Sequence, residues 1–189
     1  MSYVDHAYYE RLVADFLGWP PAHAGAASAP DPRLKAECEA LLFREARLLD
    51  ERRFEDWLGL YAPECLLWIP GTVPAGDPRE AVTVAFDDRR RLEDRIYRLR
   101  TGSAWSQVPA SRTVRVVGNV EPFAAEDAPE HVMVRSTLLA TELRAGETRL
   151  WSGWCAHRLR RTPDGLRIEV KQLNLVDADA NLPNPSALF

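Results

Sequence analysis

Residues 112–176 read RTVRVVGNVEPFAAEDAPEHVMVRSTLLATELRAGETRLWSGWCAHRLRRTPDGLRIEVKQLNLV. This stretch holds four β-rich runs in succession: Arg112–Phe123, His131–Leu143, Arg149–Arg161 and Leu166–Val176. In the first, Val114, Val116 and Val120 fall at alternate positions. The second sets Val132, Val134, Leu138 and Ala140 against Met133, Leu139 and Leu143. The third sets Trp151, Cys155 and Leu159 against Leu150 and Trp154, and the fourth sets Leu166, Ile168 and Val170 against Arg167, Glu169 and Lys171. Period-two patterning with both faces partly apolar predicts an antiparallel sheet, covered on one side by helices and on the other by something else. Thr162-Pro163-Asp164-Gly165 supplies a turn, because proline presets φ and glycine accepts a positive φ, and Arg144–Glu147 supplies a weaker one.

Upstream of this stretch the periodicity changes to helical. Val4, Tyr8, Leu12, Val13, Phe16 and Leu17 predict an amphipathic helix over Tyr3–Leu17, ending at Gly18 ahead of Pro20-Pro21. Pro20–Pro30 is an Ala/Pro loop. Asp31-Pro32 is a helix start, with Asp31 as cap and Pro32 in the first turn. The stripe Leu34, Cys38, Leu41, Leu42, Leu48 and Leu49 carries that helix to about Asp50. Phe54, Trp57, Leu58 and Tyr61 read as a second, shorter helix closed by Pro63. Short strands are expected at Leu66–Ile69 and Val82–Phe86, and a third helix from Asp87 or Asp88 to Arg100 with Leu92, Ile96 and Leu99 inward. That helix is dense in charge, with acids at its start and Arg95, Arg98 and Arg100 towards its end, an order that suits the helix dipole.

The chain has 189 residues, 46% of them hydrophobic, which fits a single domain over 1–189 with its own core. Residues 1–30 form the N-terminal helix and loop, and 31–189 the main body. A net charge of -4 provides no basic field for nucleic acid or anionic lipid. No apolar run reaches the roughly 20 residues of a membrane span, and a cytoplasmic protein is expected. Cys38, Cys65 and Cys155 are too scattered for a disulfide framework and read as buried thiols.

Helices followed by a long meander predict an α+β domain in which a curved antiparallel sheet wraps a helix into a cone with an internal cavity. His157, mid-strand on the parity of Trp151 and Cys155, is the best candidate for a general base, although a lone strand histidine is ordinarily a core or interface residue. Glu45, Asp50 and Asp87 are candidate buried carboxylates; periodicity does not place them. Cys155-x-His157 matches half of a Rieske motif, but the Cys-x-x-His half is missing from the sequence. With no two-histidine-plus-carboxylate spacing, phosphate loop or nucleophile elbow, no catalytic, cofactor or metal residue is assigned.

REARLLDERRFEDWLGLYAP at 44–63, Leu67-Trp68-Ile69-Pro70, LEDRIYRLRTGSAW at 92–105, PASRT at 109–113, Gly118-Asn119-Val120 and LPNPSALF at 182–189 together resemble the β (small) subunit of aromatic-ring-hydroxylating dioxygenases. The resemblance spans nearly the whole chain. It implies a cone similar to nuclear transport factor 2, ketosteroid isomerase and scytalone dehydratase. It also implies a non-catalytic, structural role beside an α subunit that holds the Rieske [2Fe-2S] cluster and the mononuclear Fe(II), with self-association as a trimer within an α3β3 hexamer whose α subunits cis-dihydroxylate an aromatic ring. The Ala/Pro loop at 20–30 departs from the family's pattern. Under this resemblance Arg95, Arg98, Arg100, Trp105 and Arg112 are candidate subunit contacts, and Trp151 or Trp154 should lie on the sheet face that helices leave uncovered. The alternative is a stand-alone cone-fold isomerase, dehydratase or cyclase, using His157 with a buried carboxylate on a small hydrophobic ligand. A cavity that binds without chemistry is a third possibility.

Overall fold

The computed structural model describes residues 3–17, 31–124, 130–180 and 182. The elements run α1 (His6–Phe16), α2 (Pro32–Asp50), α3 (Phe54–Leu58), β1 (Tyr61–Pro70), β2 (Thr83–Asp88), α4 (Arg89–Thr101), β3 (Arg112–Ala124), β4 (His131–Arg144), β5 (Glu147–Thr162) and β6 (Gly165–Leu175). A 3-10 turn at Trp105–Gln107 precedes β3. The strands form one six-stranded sheet in the order β2-β1-β6-β5-β4-β3. It is antiparallel throughout except that β1 pairs with β6 in parallel.

The helix starts follow the sequence. The Asp5 side chain accepts the Tyr8 N–H at 2.8 Å, Asp31 accepts that of Arg33 at 2.9 Å, and Asp88 accepts that of Arg91 at 2.9 Å. Each cap satisfies an amide that the first turn leaves without a helical partner. α4 ends at Gly102, whose φ of +73° suits a residue without a Cβ. The Pro20–Pro30 loop lies outside the described residues.

Two apolar clusters sandwich the sheet. Inside the cone, Cys38, Leu42, Leu48 and Leu49 of α2 and Trp57 of α3 pack against Cys65, Leu67 and Ile69 of β1 and inward residues of β4, β5 and β6, among them Leu138, Trp151, Cys155 and Leu173. Outside, Tyr8, Leu12 and Phe16 of α1 pack on Leu66 and Trp68 of β1, Ala156 of β5 and Val170 of β6. Successive residues of β1 therefore feed opposite cores, as the pleat requires. The Tyr3 hydroxyl ties down the start of α1, accepting the backbone N–H of Cys65 at 3.1 Å and of Arg89 at 3.0 Å.

Three expectations need correction. Tyr61 does not end a helix: α3 stops at Leu58, and Tyr61 opens β1. Pro63 is tolerated within that strand because the β1–β6 register breaks between Tyr61 and Leu66. The run 166–176 does not keep one parity, since the β5–β6 register shifts at Arg158/Leu159; Ile168 enters the inner cluster, Val170 the outer one, and Lys171 is buried. In β3 a register shift between Gly118 and Glu121, with Asn119 at φ +50°, leaves Val114 and Val116 exposed while Val120 is buried. The shifts in β3 and β6 each insert one residue and exchange the faces beyond it.

Gly153 marks a close strand crossing. A Cβ there would run into the carbonyl oxygen of Asn174 and come within 3.1 Å of Leu175 Cα, and both obstacles are backbone. Gly153→Ala is expected to cost about 1–3 kcal/mol through overpacking, read as a lower urea midpoint with an unchanged m-value. A midpoint equal to wild type would show that β6 moves aside freely.

Candidate functional site

Glu45 is the centre of the cone's interior. It lies on the inward stripe of α2, one turn beyond Leu42, and is only 4% exposed. Its Oε1 accepts three hydrogen bonds: from Lys171 Nζ at 2.8 Å, from the Tyr61 hydroxyl at 2.8 Å and from Trp57 Nε1 at 3.3 Å. Its Oε2 faces His157 Nε2 at 4.0 Å. Four elements thus converge on one carboxylate. Of the three candidate carboxylates, Glu45 is the one beside His157. Asp50 instead accepts the backbone N–H of Arg115 at 2.8 Å and pairs with its guanidinium, and Asp87 pairs with Arg95.

The electrostatics follow from burial. Burial alone would raise the Glu45 carboxyl, but the Lys171 ammonium, His157 and the hydrogen bonds from Lys171 and Tyr61 outweigh it and hold the pKa down at about 2. For His157 burial pushes the pKa down to about 4, Glu45 pulling up and Lys171 pushing down further. At neutral pH the interior is an ion pair beside a neutral imidazole. Burial also pushes the Cys155 thiol up to about 12, far from a reactive thiolate.

Glu45 and His157 both bind a proton more weakly folded than unfolded, so both stabilise the fold at neutral pH and lose that contribution on acidification. The His157 contribution should fade as pH falls from its ordinary 6.5 towards about 4, and that of Glu45 as pH falls from 4.5 towards about 2. Urea midpoints at pH 7, 5.5 and 4 are expected to fall in that order. His157→Leu should remove the part of the decline that lies above pH 4.5.

The chamber beside this cluster is lined by Leu42, Leu138, Cys155, His157 and Lys171 among others and has a volume of about 10 Å³. A pocket that encloses a small organic substrate needs about 300 Å³ or more. His157 and a buried carboxylate do meet, as the enzyme alternative requires, but no room is left between them for a substrate. Among the described residues no group of three His, Cys, Asp or Glu is placed to hold a metal ion.

The open site is on the outside. α1 and its cluster cover the outer face over β2, β1, β6 and β5 and reach Met133 at the start of β4. Beyond it, Val116 lies opposite Leu139, Leu139 opposite Ser152, and Val176 donates its N–H to the Ser152 carbonyl at 3.1 Å. The neighbouring row is Val114, Thr141 and Leu150. Val114, Val116, Leu139, Leu150 and Val176 are 43–67% exposed and form one apolar surface. Period-two reading does not find this surface, because the shift in β3 conceals which of its valines point outward.

The expected contact residues divide. Trp105 stands 84% exposed on its turn, away from the cone interior. Arg98, Arg100 and Arg112 are exposed as well, Arg100 lying 3.7 Å from Glu55. Arg95 is partly buried and paired with Asp87. Trp151 does not lie on the outer face: it is 2% exposed inside the cone, its indole N–H donating to Glu142 Oε2 at 2.9 Å and the Arg149 guanidinium capping its ring at 3.9 Å. Its parity is that of Cys155 and His157, which face α2. Trp154 does point outward, half-buried beside the α1 cluster with Arg135 over its ring at 4.8 Å. His131, at the start of β4, joins an outer-face network: its Nε2 is 3.0 Å from Glu169, which also takes Arg158 Nε at 3.1 Å. His6 is exposed beside Glu10, and His23 lies outside the described residues.

Comparison with known proteins agrees with this geometry. The family model of the ring-hydroxylating β subunit matches residues 44–180. The small oxygenase component of the p-cumate 2,3-dioxygenase system of Pseudomonas putida is 33% identical over 152 residues, 79% of this chain and 83% of that protein. Among solved structures, the β subunit of the benzoate 1,2-dioxygenase of Burkholderia mallei is 25% identical with a TM-score of 0.66, covering 83% of this chain and 97% of that one. An NTF2-like protein with a cystatin-like fold from Novosphingobium aromaticivorans, 15% identical, superposes with a TM-score of 0.56 over 92% of this chain and 90% of its own. The fold is therefore the α+β cone of that class, and the chain belongs to the β (small) subunits of aromatic-ring-hydroxylating dioxygenases.

Proposed function

We propose that this chain is the non-catalytic, structural subunit of its dioxygenase, scaffolding catalytic α subunits that carry the Rieske cluster and the mononuclear iron and cis-dihydroxylate an aromatic ring. The observation that carries this reading is the contrast between a cone interior closed around an ion pair and an outer sheet face left apolar and open. Proteins rarely leave a flat, contiguous apolar face in water unless a partner covers it. The covering partner on this reading is a second copy of the chain, three copies forming the base of an α3β3 hexamer. Trp105, with Arg98, Arg100 and Arg112 exposed close to it in sequence, offers an aromatic anchor and cations of the kind an α subunit would engage. Residence in the cytoplasm fits the reading; among the described residues no helix is long and apolar enough to cross a membrane.

Co-expression with a Rieske-type α chain tests the assignment. The two are expected to copurify, and His157→Leu should leave turnover of the complex within about two-fold of wild type. Trp105→Ala should leave the melting temperature of the isolated chain unchanged and weaken α binding at least ten-fold, the ordinary loss for an aromatic anchor worth about 1.4 kcal/mol or more. Turnover by this chain alone, abolished by His157→Leu, would instead support the isomerase or dehydratase alternative.

A further inference from the structure

The interior cluster is arranged unevenly. Three donors converge on Glu45 Oε1, whereas Oε2 faces His157 Nε2 at 4.0 Å, too long for a direct hydrogen bond. His157 is 1% exposed, and neither of its ring nitrogens meets a hydrogen-bond partner among the described residues. A buried ring left without any hydrogen-bond partner is costly. The adjoining chamber of about 10 Å³ is bordered by Glu45, Ser136, His157 and Lys171, with Leu42, Leu49 and Leu138 closing it. That volume matches about one water-sized sphere, and a buried water needs two to four polar partners. The walls supply them.

We propose that the cone interior is a binding site for one ordered water molecule, bridging His157 Nε2 to Glu45 Oε2. The 4.0 Å gap suits a bent bridge with two hydrogen bonds of ordinary length. Nε2–H donates to the water, and the water donates to the carboxylate. This selects the Nε2–H tautomer of a neutral imidazole and spares Glu45 a second charged neighbour. The water gives Nε2 its partner, and with it in place the chamber has no space for an organic ligand.

A crystal structure of the chain at 1.5 Å or better, at pH 7, tests this. One density peak within hydrogen-bond distance of both His157 Nε2 and Glu45 Oε2 is expected. A dry chamber, a direct His157–Glu45 hydrogen bond or an organic molecule would each overturn the proposal. In solution, two-bond proton–nitrogen couplings of labelled histidine should identify His157 as the Nε2–H tautomer; the Nδ1–H form, in which the water would donate to both Nε2 and Oε2, would overturn this donor order. In crystals of His157→Leu the peak should be lost, and its persistence at the same position would show that His157 does not hold it.

Discussion

Leu139→Asp is expected to dissociate the assembly while leaving the isolated chain folded. Leu139 occupies the middle of the outer apolar face, with Val116 and Ser152 across from it on the neighbouring strands. Its side chain is partly solvated in the free chain, so the carboxylate costs little there. Once a second copy covers the face, the same carboxylate is desolvated without a partner, and even a heavily compensated burial of this kind costs on the order of 3 kcal/mol. That corresponds to a more than 100-fold weaker association. Sedimentation or light scattering should show the variant as a smaller species at concentrations where wild type is assembled, with a melting temperature of the isolated chain within about 1 °C of normal. If the variant assembles like wild type, the face is not an interface.

Lys171→Met carries the second large effect, and here the fold itself is at stake. Its ammonium is the cation beside Glu45, 2.8 Å from Oε1. Removing it strands a buried carboxylate, and breaking one partner of such a pair costs about 3–5 kcal/mol, a large share of the 5–15 kcal/mol that holds an ordinary domain together. The double substitution Glu45→Gln/Lys171→Met should recover most of that loss. The introduced amide keeps an acceptor oxygen for Tyr61 and Trp57, and no net charge remains to desolvate. Urea denaturation of the two single variants and the double variant gives the coupling directly. Equal destabilisation by Lys171→Met and the double variant would show that the loss does not come from a stranded Glu45 carboxylate.

Much of this architecture is legible in the residues. The alternation of Val132, Val134, Leu138 and Ala140 in β4 survives intact in the inner cluster, as does that of Trp151, Cys155 and Leu159 in β5. The caps Asp31 and Asp88 mark the starts of α2 and α4, because an Asp side chain meets the unpartnered amides of the first turn wherever it precedes a helical stripe. The site is harder to read. Lys171 looks like a polar-face residue until the shift opposite Arg158/Leu159 turns it inward, and a single inserted residue leaves almost no trace in a period-two pattern. The comparable shift in β3 does leave a hint, since Gly118-Asn119 is a pair that accepts unusual backbone angles in the middle of an apolar run. Tyr61 continues a helical stripe in sequence, yet its hydroxyl is claimed by Glu45 from another element, and that tertiary bond accompanies its place in β1. The placement of Trp151 fails for a different reason: parity groups it with Cys155 and His157, but only the position of α2 tells which of the two faces is the inside.

Whether the chain scaffolds or catalyses is decided by the mass and iron content of the native complex. A scaffold is expected to copurify with a larger Rieske-type α chain in equal copy number, at a total mass corresponding to three of each, with all iron retained by α when the two are separated. A single species of this chain alone, turning over a small molecule and losing that activity in His157→Leu, would contradict a scaffolding role.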